Sequence, residues 1–261
     1  LRWSVPTVTL HDNGLIDALL FVSILIPSVV LHEVAHGLTA YRLGDMTAHA
    51  AGRLTLNPLK HLDPFGSVLL PAMLAVSGQN VFGWAKPVPV NPSGFARPWE
   101  GMALTALAGP ATNLTLALIA GRLGPFHQVG GTIVLESGSL YGRVMAGFLI
   151  VNAALAVFNM LPIPPLDGSR LLPLVLPPAG RRIYTRISQY GFLILIALVF
   201  VFDGALSFLS SWIGGVIRVV VTPEGEAIRV VIAAQAETLT AALAVVTPEQ
   251  AAIPEVVANL E

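Results

Sequence analysis

An apolar run from Leu15 to Leu31 ends in His32-Glu33-Val34-Ala35-His36. This juxtaposition limits the fold more than any other stretch of the chain. A run of that length and character is a membrane-spanning helix, and ionisable groups inside such a helix are costly and are kept for chemistry. On a helix, His32 and His36 lie one turn apart on the same face. Two imidazoles at that spacing can share one metal ion, and the carboxylate between them, Glu33, is placed as a general base beside it.

Composition supports a membrane setting. Of 261 residues, 54% are hydrophobic and 11% charged, and mean hydropathy is +0.75. A soluble domain carries about 25% charged residues. The net charge of −1 gives no reason to expect a nucleic-acid partner. The absence of cysteine excludes disulfides, thiolate metal sites and thiol nucleophiles, and leaves His, Asp and Glu as metal ligands. The first apolar run is too long for a cleavable signal sequence and carries the motif, so it is read as retained. The chain opens on Leu1, so the native N-terminus is expected upstream.

The sequence predicts an all-α polytopic membrane protein. It is expected to have about four full spans, a re-entrant or interfacial segment and short membrane-associated strands. Residues 1–14 read as an interfacial segment, 15–213 as the core and 214–261 as a tail. The spans are expected at 15–43, with a kink at Pro27 and a stop at Gly44, then at 99–121, 141–161 and 187–213. Residues 65–77 are apolar but too short to span, which favours a re-entrant piece. Strand-like pieces are expected at 51–58 and 88–90, a hairpin within 216–232 and a short helix at 233–245.

A catalytic zinc site normally takes three protein ligands. Asp17 lies about 22 Å from the motif along the helix and cannot reach it. His49 and His61 follow the motif helix at reachable distance. Asp203 lies in the fourth predicted span and Asp167 just after the third. If 65–77 does not cross, the end of the third span returns to the face near which His32 and His36 lie, bringing Asp167 to their depth. In that arrangement nine basic residues, among them Arg42, Arg53, Lys86 and Arg170, lie on one side and five on the other. The positive-inside rule makes the former side cytoplasmic, with the metal toward it.

With those residues in place, the chain resembles the site-2 protease family of intramembrane zinc metalloproteases. The resemblance rests on His32-Glu33-x-x-His36, Gly52-Arg53-Leu54-Thr55-Leu56-Asn57-Pro58 and Gly83 to Pro92. It continues through Ala108-Gly109-Pro110-Ala111-Thr112-Asn113 and Phe158-Asn159-x-Leu161-Pro162-x-Pro164-Pro165-Leu166-Asp167-Gly168, covering roughly residues 15–202. It implies one zinc ion held by His32, His36 and Asp167, with Glu33 activating water and Asn159 assisting the scissile carbonyl. Asn152, Gly109 and Asn113 would support the site or the substrate. It also implies regulated proteolysis of transmembrane or membrane-anchored substrates by a multi-pass protein of the plasma membrane, in contact with the lipid bilayer. The residues fix no oligomeric state. Leu166 departs from the family's usual residue before the Asp-Gly pair and leaves the ligand in place. No stretch resembles a PDZ domain and the tail is too short for paired CBS domains, so the resemblance is to the minimal, core-only branch.

Three other readings compete. CAAX-processing or HtpX-like membrane proteases use a glutamate as third ligand, and Glu100 and Glu136, the only glutamates between motif and tail, lie in no matching context. A zinc-binding transporter would spread its ionisable residues along a pathway. A non-proteolytic, chaperone-like relative would have no need of Glu33. For Asn152, Asn159, Gly109 and Asn113, interhelical packing and hydrogen bonding compete with a chemical role.

Overall fold

The computed structural model describes residues 14–69, 73, 85–129, 132–135, 139–201, 207–221 and 229–230. The helices are α1 (Gly14–Arg42), α2 (Thr47–Ala50), α3 (Pro98–Leu123), α4 (Leu140–Asn159), α5 (Leu172–Val175), α6 (Pro178–Ser188), α7 (Gly191–Val201) and α8 (Ser207–Val221). Short 3-10 turns cover Pro58–Lys60, Pro92–Gly94 and Asp167–Leu171, and a π-helical turn covers Pro64–Leu69. Strands β1 (Phe126–Val129) and β2 (Thr132–Leu135) form an antiparallel hairpin, and β3 (Arg229–Val230) pairs parallel to β2.

Among the described residues, three helical stretches are long and apolar enough to cross a membrane: Leu19–Arg42, Pro98–Leu123 and Leu140–Asn159. α3 packs along both α1 and α4, and α8 packs on α4 and α3. Close approach depends on small side chains at the contacts, with Ala103, Ala106, Ala117, Ala120 and Ala153 all buried. Above them Leu149, Leu209, Ile213 and Ile217 fill the apolar core. The outward face of α3 shows Leu104, Leu107, Leu114 and Leu118 at helical spacing, as a lipid-facing stripe would.

The end of α1 is set by local chemistry. Gly44 takes φ +106°. Asp45 N–H then reaches the Ala40 carbonyl at 2.9 Å and Gly44 N–H the Tyr41 carbonyl at 3.1 Å. This is the Schellman closure, which a left-handed residue permits and glycine allows at little cost. The same device closes α2. Gly52 has φ +63°, Arg53 N–H meets the Ala48 carbonyl at 3.0 Å and Gly52 N–H meets His49 at 2.9 Å.

The expected strand at 51–58 is therefore a helix closure followed by a 3-10 turn, because Gly52 takes the left-handed conformation and Asn57 caps the turn at Leu59 N–H. Residues 88–90 are extended but join no ladder. The strands lie instead on either side of Gly130-Gly131, a two-residue turn signal between β-prone runs that the sequence reading passed over.

The start of the fourth expected span lies elsewhere. The amphipathic α6 ends at Ser188, and after a turn at Gln189–Tyr190 the apolar α7 begins at Gly191. Residues 216–221 belong to α8, so no local hairpin starts there. Of the re-entrant piece, the described parts are the turn Pro64–Leu69, with Phe65 and Leu69 exposed, and the exposed, helical Met73. The helix expected at 233–245 lies outside the described residues, as does Asp203.

Where residues 43–97 leave and return is explicit. Asn91 N–H donates to Asp45 Oδ2 at 2.7 Å, and Gly94 lies so close that a Cβ there would be 2.9 Å from Asp45 Cα. The end of α1 and the approach to α3 thus share one end of the bundle, as a non-crossing 65–77 requires.

Candidate metal centre

α1 carries His32 and His36 on the face that meets α3, and both are buried. The turn Asp167–Leu171, which follows α4, brings Asp167 to the same point. Asp167 Oδ2 lies 3.1 Å from His32 Nε2 and 3.2 Å from His36 Nε2, and the two Nε2 atoms are 2.9 Å apart. Four tetrahedral ligands at about 2.0 Å from a zinc ion are spaced by about 3.3 Å. The observed triangle is close to one face of such a tetrahedron.

Hydrogen bonding fixes the protons so that the triangle has none to share. His32 Nδ1–H donates to Asn113 Oδ1 at 2.5 Å, and His36 Nδ1–H donates to the Thr105 carbonyl at 2.6 Å. In a neutral imidazole a proton on Nδ1 leaves the lone pair on Nε2. Asp167 Oδ2 is buried and accepts no hydrogen bond. Three lone pairs therefore converge in a buried pocket, an arrangement that repels itself without a cation at its centre. The donor set of two imidazoles and a carboxylate, with a fourth position left open, fits a catalytic zinc site. Among the described residues, these are the one group of three placed to hold a metal ion.

Asn113 is oriented in turn. Its Nδ2 donates to Asn152 Oδ1 at 2.8 Å, and Asn152 Nδ2 donates to Ser28 Oγ at 2.9 Å. Ser28, Asn113 and Asn152 are completely buried. The chain of donors leaves Asn113 only one sensible way to face His32, oxygen first. Pro110 lies inside α3 and has no N–H, so the Ala106 carbonyl lacks its helical partner. That loosened turn presents the adjacent Thr105 carbonyl to His36.

Two glycines admit the parts to one place. A Cβ on Gly109 would sit 2.4 Å from His36 Nε2 and 2.6 Å from His32 Nε2. A Cβ on Gly168 would overlap the Met160 carbonyl, so only glycine lets the turn after α4 fold back and deliver Asp167.

Glu33 is half-buried, and its Oε2 accepts the Val88 N–H at 2.8 Å. The extended segment holding Val88 is itself pinned. Lys86 N–H donates to the His61 carbonyl at 2.9 Å, and Arg53 donates to the Lys86 carbonyl at 2.6 Å.

The sequence-predicted residues thus separate. His32, His36 and Asp167 converge, with Gly109 against the imidazoles and Asn113 and Asn152 behind His32. Asn159 bonds within its own helix: its Nδ2 donates to the Leu155 carbonyl one turn back on α4. His49 stacks on Tyr41 at 5.2 Å, and His61 Nε2 donates to the Thr55 carbonyl at 2.8 Å, so neither serves the triad. Sequence reasoning missed Ser28, the Thr105 carbonyl and the Val88 N–H. Ser28 had a signal, since residues 28, 32 and 36 recur every four residues on one face. The two backbone groups had none.

The Peptidase family M50 model matches residues 123–202, which hold α4 and Asp167. The Bacillus subtilis protein named "Putative zinc metalloprotease YwhC" is 41% identical over 175 residues, 67% of this chain and 77% of that protein. The chain belongs to the M50, or site-2 protease, family. "Putative zinc metalloprotease Rip2" of Mycolicibacterium smegmatis is 36% identical over 66% of this chain and 63% of its own length. The Mycobacterium tuberculosis (strain H37Rv) protein of the same name is 34% identical over 73% of this chain and 68% of its own. No solved structure matches. For an M50 member the metal is zinc, and the His32, His36 and Asp167 cluster is where the fold can take it.

Proposed function

We propose that this chain is an intramembrane zinc endopeptidase that cleaves transmembrane or membrane-anchored proteins, with His32, His36 and Asp167 as ligands and Glu33 as base. The observation that carries this reading is the triangle of buried, proton-free ligand atoms with Glu33 on the next helical position. Zinc bound there would activate a water molecule and polarise the scissile carbonyl.

The protein's own groups do the rest. Glu33 accepts a proton and returns it to the leaving amine. The Val88 N–H holds one carboxylate oxygen, so the other is left for that transfer. Asn113 and Thr105 keep the imidazole protons on Nδ1. Asn159 Nδ2 spends one of its two hydrogens on Leu155, and the other would be free to assist the scissile carbonyl. A helical substrate hides its carbonyls in its own hydrogen bonds and must unwind before any of this acts on it. The gathering of His32, His36 and Asp167 at one point, rather than along a pathway, favours an enzyme over a transporter. The charge distribution favours a site toward the cytoplasmic face of the plasma membrane.

Glu33→Gln tests the reading. Its side-chain oxygen still accepts from Val88, so the fold stays. Purified wild type is expected to cleave a single-span substrate in detergent, while the variant holds one zinc by metal analysis and cleaves at least about a thousandfold more slowly. Cleavage at the wild-type rate by the variant would overturn the assignment of the base.

A further inference from the structure

Beyond the metal centre, the same end of the bundle carries a second built feature. Between Leu161 and Tyr190 the chain has four arginines, Arg170, Arg181, Arg182 and Arg186, and one acid, Asp167, which belongs to the triad. Three of the arginines lie on α6. Arg181 and Tyr184 face the protein, while Arg182, Ile183, Arg186 and Ile187 are exposed on adjoining faces. Ile183 is 60% exposed. A helix that shows isoleucine and arginine together to its surroundings suits a membrane interface, where the apolar chains enter the acyl region and the guanidinium groups meet phosphates. Its place in the chain agrees, since the apolar α7 begins at Gly191 and a membrane-length helix, α4, ends at Asn159.

Under α6 lies a cleft of 190 Å³. Its walls are Pro92, Pro98, Trp99, Met102, Pro173 and Tyr184, and Arg170 is the one charged residue that lines it. The Arg181 guanidinium lies over the Trp99 ring, 5.6 Å from its centre. Arg170 is half-buried and belongs to the turn Asp167–Leu171. No carboxylate partner is found for Arg170, Arg181, Arg182 or Arg186 among the described residues. Glu100, next to Trp99 in the chain, is exposed.

We infer that this cleft binds one anionic phospholipid, with acyl carbons against Trp99, Met102 and Pro173 and the phosphate held by Arg170 and Arg181. Apolar walls with a cationic rim at the membrane face complement that ligand and no soluble anion, which would leave the walls bare. Arginine forks bind phosphate in pairs of hydrogen bonds, and Trp and Tyr suit the headgroup level. Arg170 lies three residues from Asp167, so one turn holds both headgroup and metal ligand. The inference rests on the membrane setting and not on the peptidase reading.

The test is lipid binding to the full chain in neutral detergent, read by native mass spectrometry, with phosphatidylglycerol and phosphatidylcholine as probes. Wild type is expected to prefer phosphatidylglycerol by about tenfold or more. Each arginine near the surface contributes about fivefold. Arg170→Gln is thus expected to weaken phosphatidylglycerol about fivefold and phosphatidylcholine less, since its ammonium offsets the phosphate charge, while Arg170→Lys keeps most of the preference. Glycerol phosphate, the headgroup without chains, is expected to compete poorly; full competition by it would overturn the lipid assignment in favour of a free phosphate ester. Equal binding of the two lipids by wild type would also overturn the inference, as would an undiminished preference in an Arg170→Gln protein of wild-type helix content. If Arg170→Gln loses helix content, Met102→Trp decides, since it fills the cleft without touching charge: loss of the preference supports the site, and its retention overturns it.

Discussion

Asn113 connects the interior of the bundle to the chemistry of His32. Its oxygen accepts the His32 proton and its nitrogen is committed to Asn152, which is committed to Ser28. A hydrogen-bond partner behind a metal-binding imidazole fixes its tautomer and raises its basicity, and losing one costs about 10–100-fold in metal affinity. Asn113→Leu keeps the volume and removes both links. It is expected to weaken zinc binding by that factor, measured by competition with a chromogenic chelator. An unchanged affinity would reduce Asn113 to packing. Gly109 makes a sharper demand, because the atom added by Gly109→Ala would overlap both imidazoles at 2.4–2.6 Å. That variant is expected to lose zinc while keeping its helix content by circular dichroism. In the sequence these two residues were legible only as a small residue and a polar one four positions apart. Their partners lie 81 residues away in the case of His32 and Asn113, and no local pattern reports that.

At the scale of elements, the structure turns on how α1 ends. Asp45 follows the Schellman closure, and its carboxylate accepts from Thr47 Oγ1–H at 2.5 Å, from Thr47 N–H at 3.0 Å and from Asn91 N–H at 2.7 Å. It therefore ties the helix end to the segment that holds Val88 and, through it, Glu33. Burial pushes the Asp45 carboxyl up, but the Thr47 hydroxyl and then the two backbone N–H groups outweigh it, so the group is held below the usual carboxylate range. A depressed pKa stabilises the fold at pH above the unfolded value of about 3.9, and that contribution disappears as pH falls through the folded value. Asp45→Asn is thus expected to melt at a lower temperature than wild type at pH 7. The gap should narrow on acidification below about pH 4, in thermal scans in detergent. A gap independent of pH would show that charge at Asp45 is immaterial. The Gly44 stop was readable from sequence. The closure at Gly52 was not, because the alternation of residues 51–58 imitates a strand and only the left-handed glycine separates the two.

At the scale of the whole molecule, the decisive fact is which ends meet. Asp45 touches the Gly94 region, and Asp167 touches His32 and His36, so the two ends of the segment 43–97 and the turn after α4 share one end of the bundle. The hairpin Phe126–Leu135, which joins α3 to α4, lies at the other. The chain has no cysteine, so single cysteines can be placed without background. Thr55→Cys and Thr185→Cys are expected to react with an impermeant maleimide from the same face of sealed vesicles, and Gln128→Cys from the opposite face. Labelling of Thr55→Cys and Thr185→Cys from opposite faces would break the shared-end arrangement. Residues 187–213 are apolar enough on average to suggest one helix, yet the amphipathic α6 reaches into that stretch as far as Ser188, and the apolar α7 begins only at Gly191.

The sequence alone determined the membrane setting, the helices that carry the chemistry and the pairing of His32 with His36, because hydropathy and helical spacing are local properties of the chain. It also singled out Asp167, since the parity of crossings constrains which distant residue can return to a given depth. The tertiary structure decided what surrounds that triad: Asn113 and Thr105 holding the imidazole protons, Val88 holding Glu33, Gly109 and Gly168 leaving room. Those contacts join groups far apart in the chain, some of them bare backbone. Only the packing of α1, α3 and the turn after α4 brings them together.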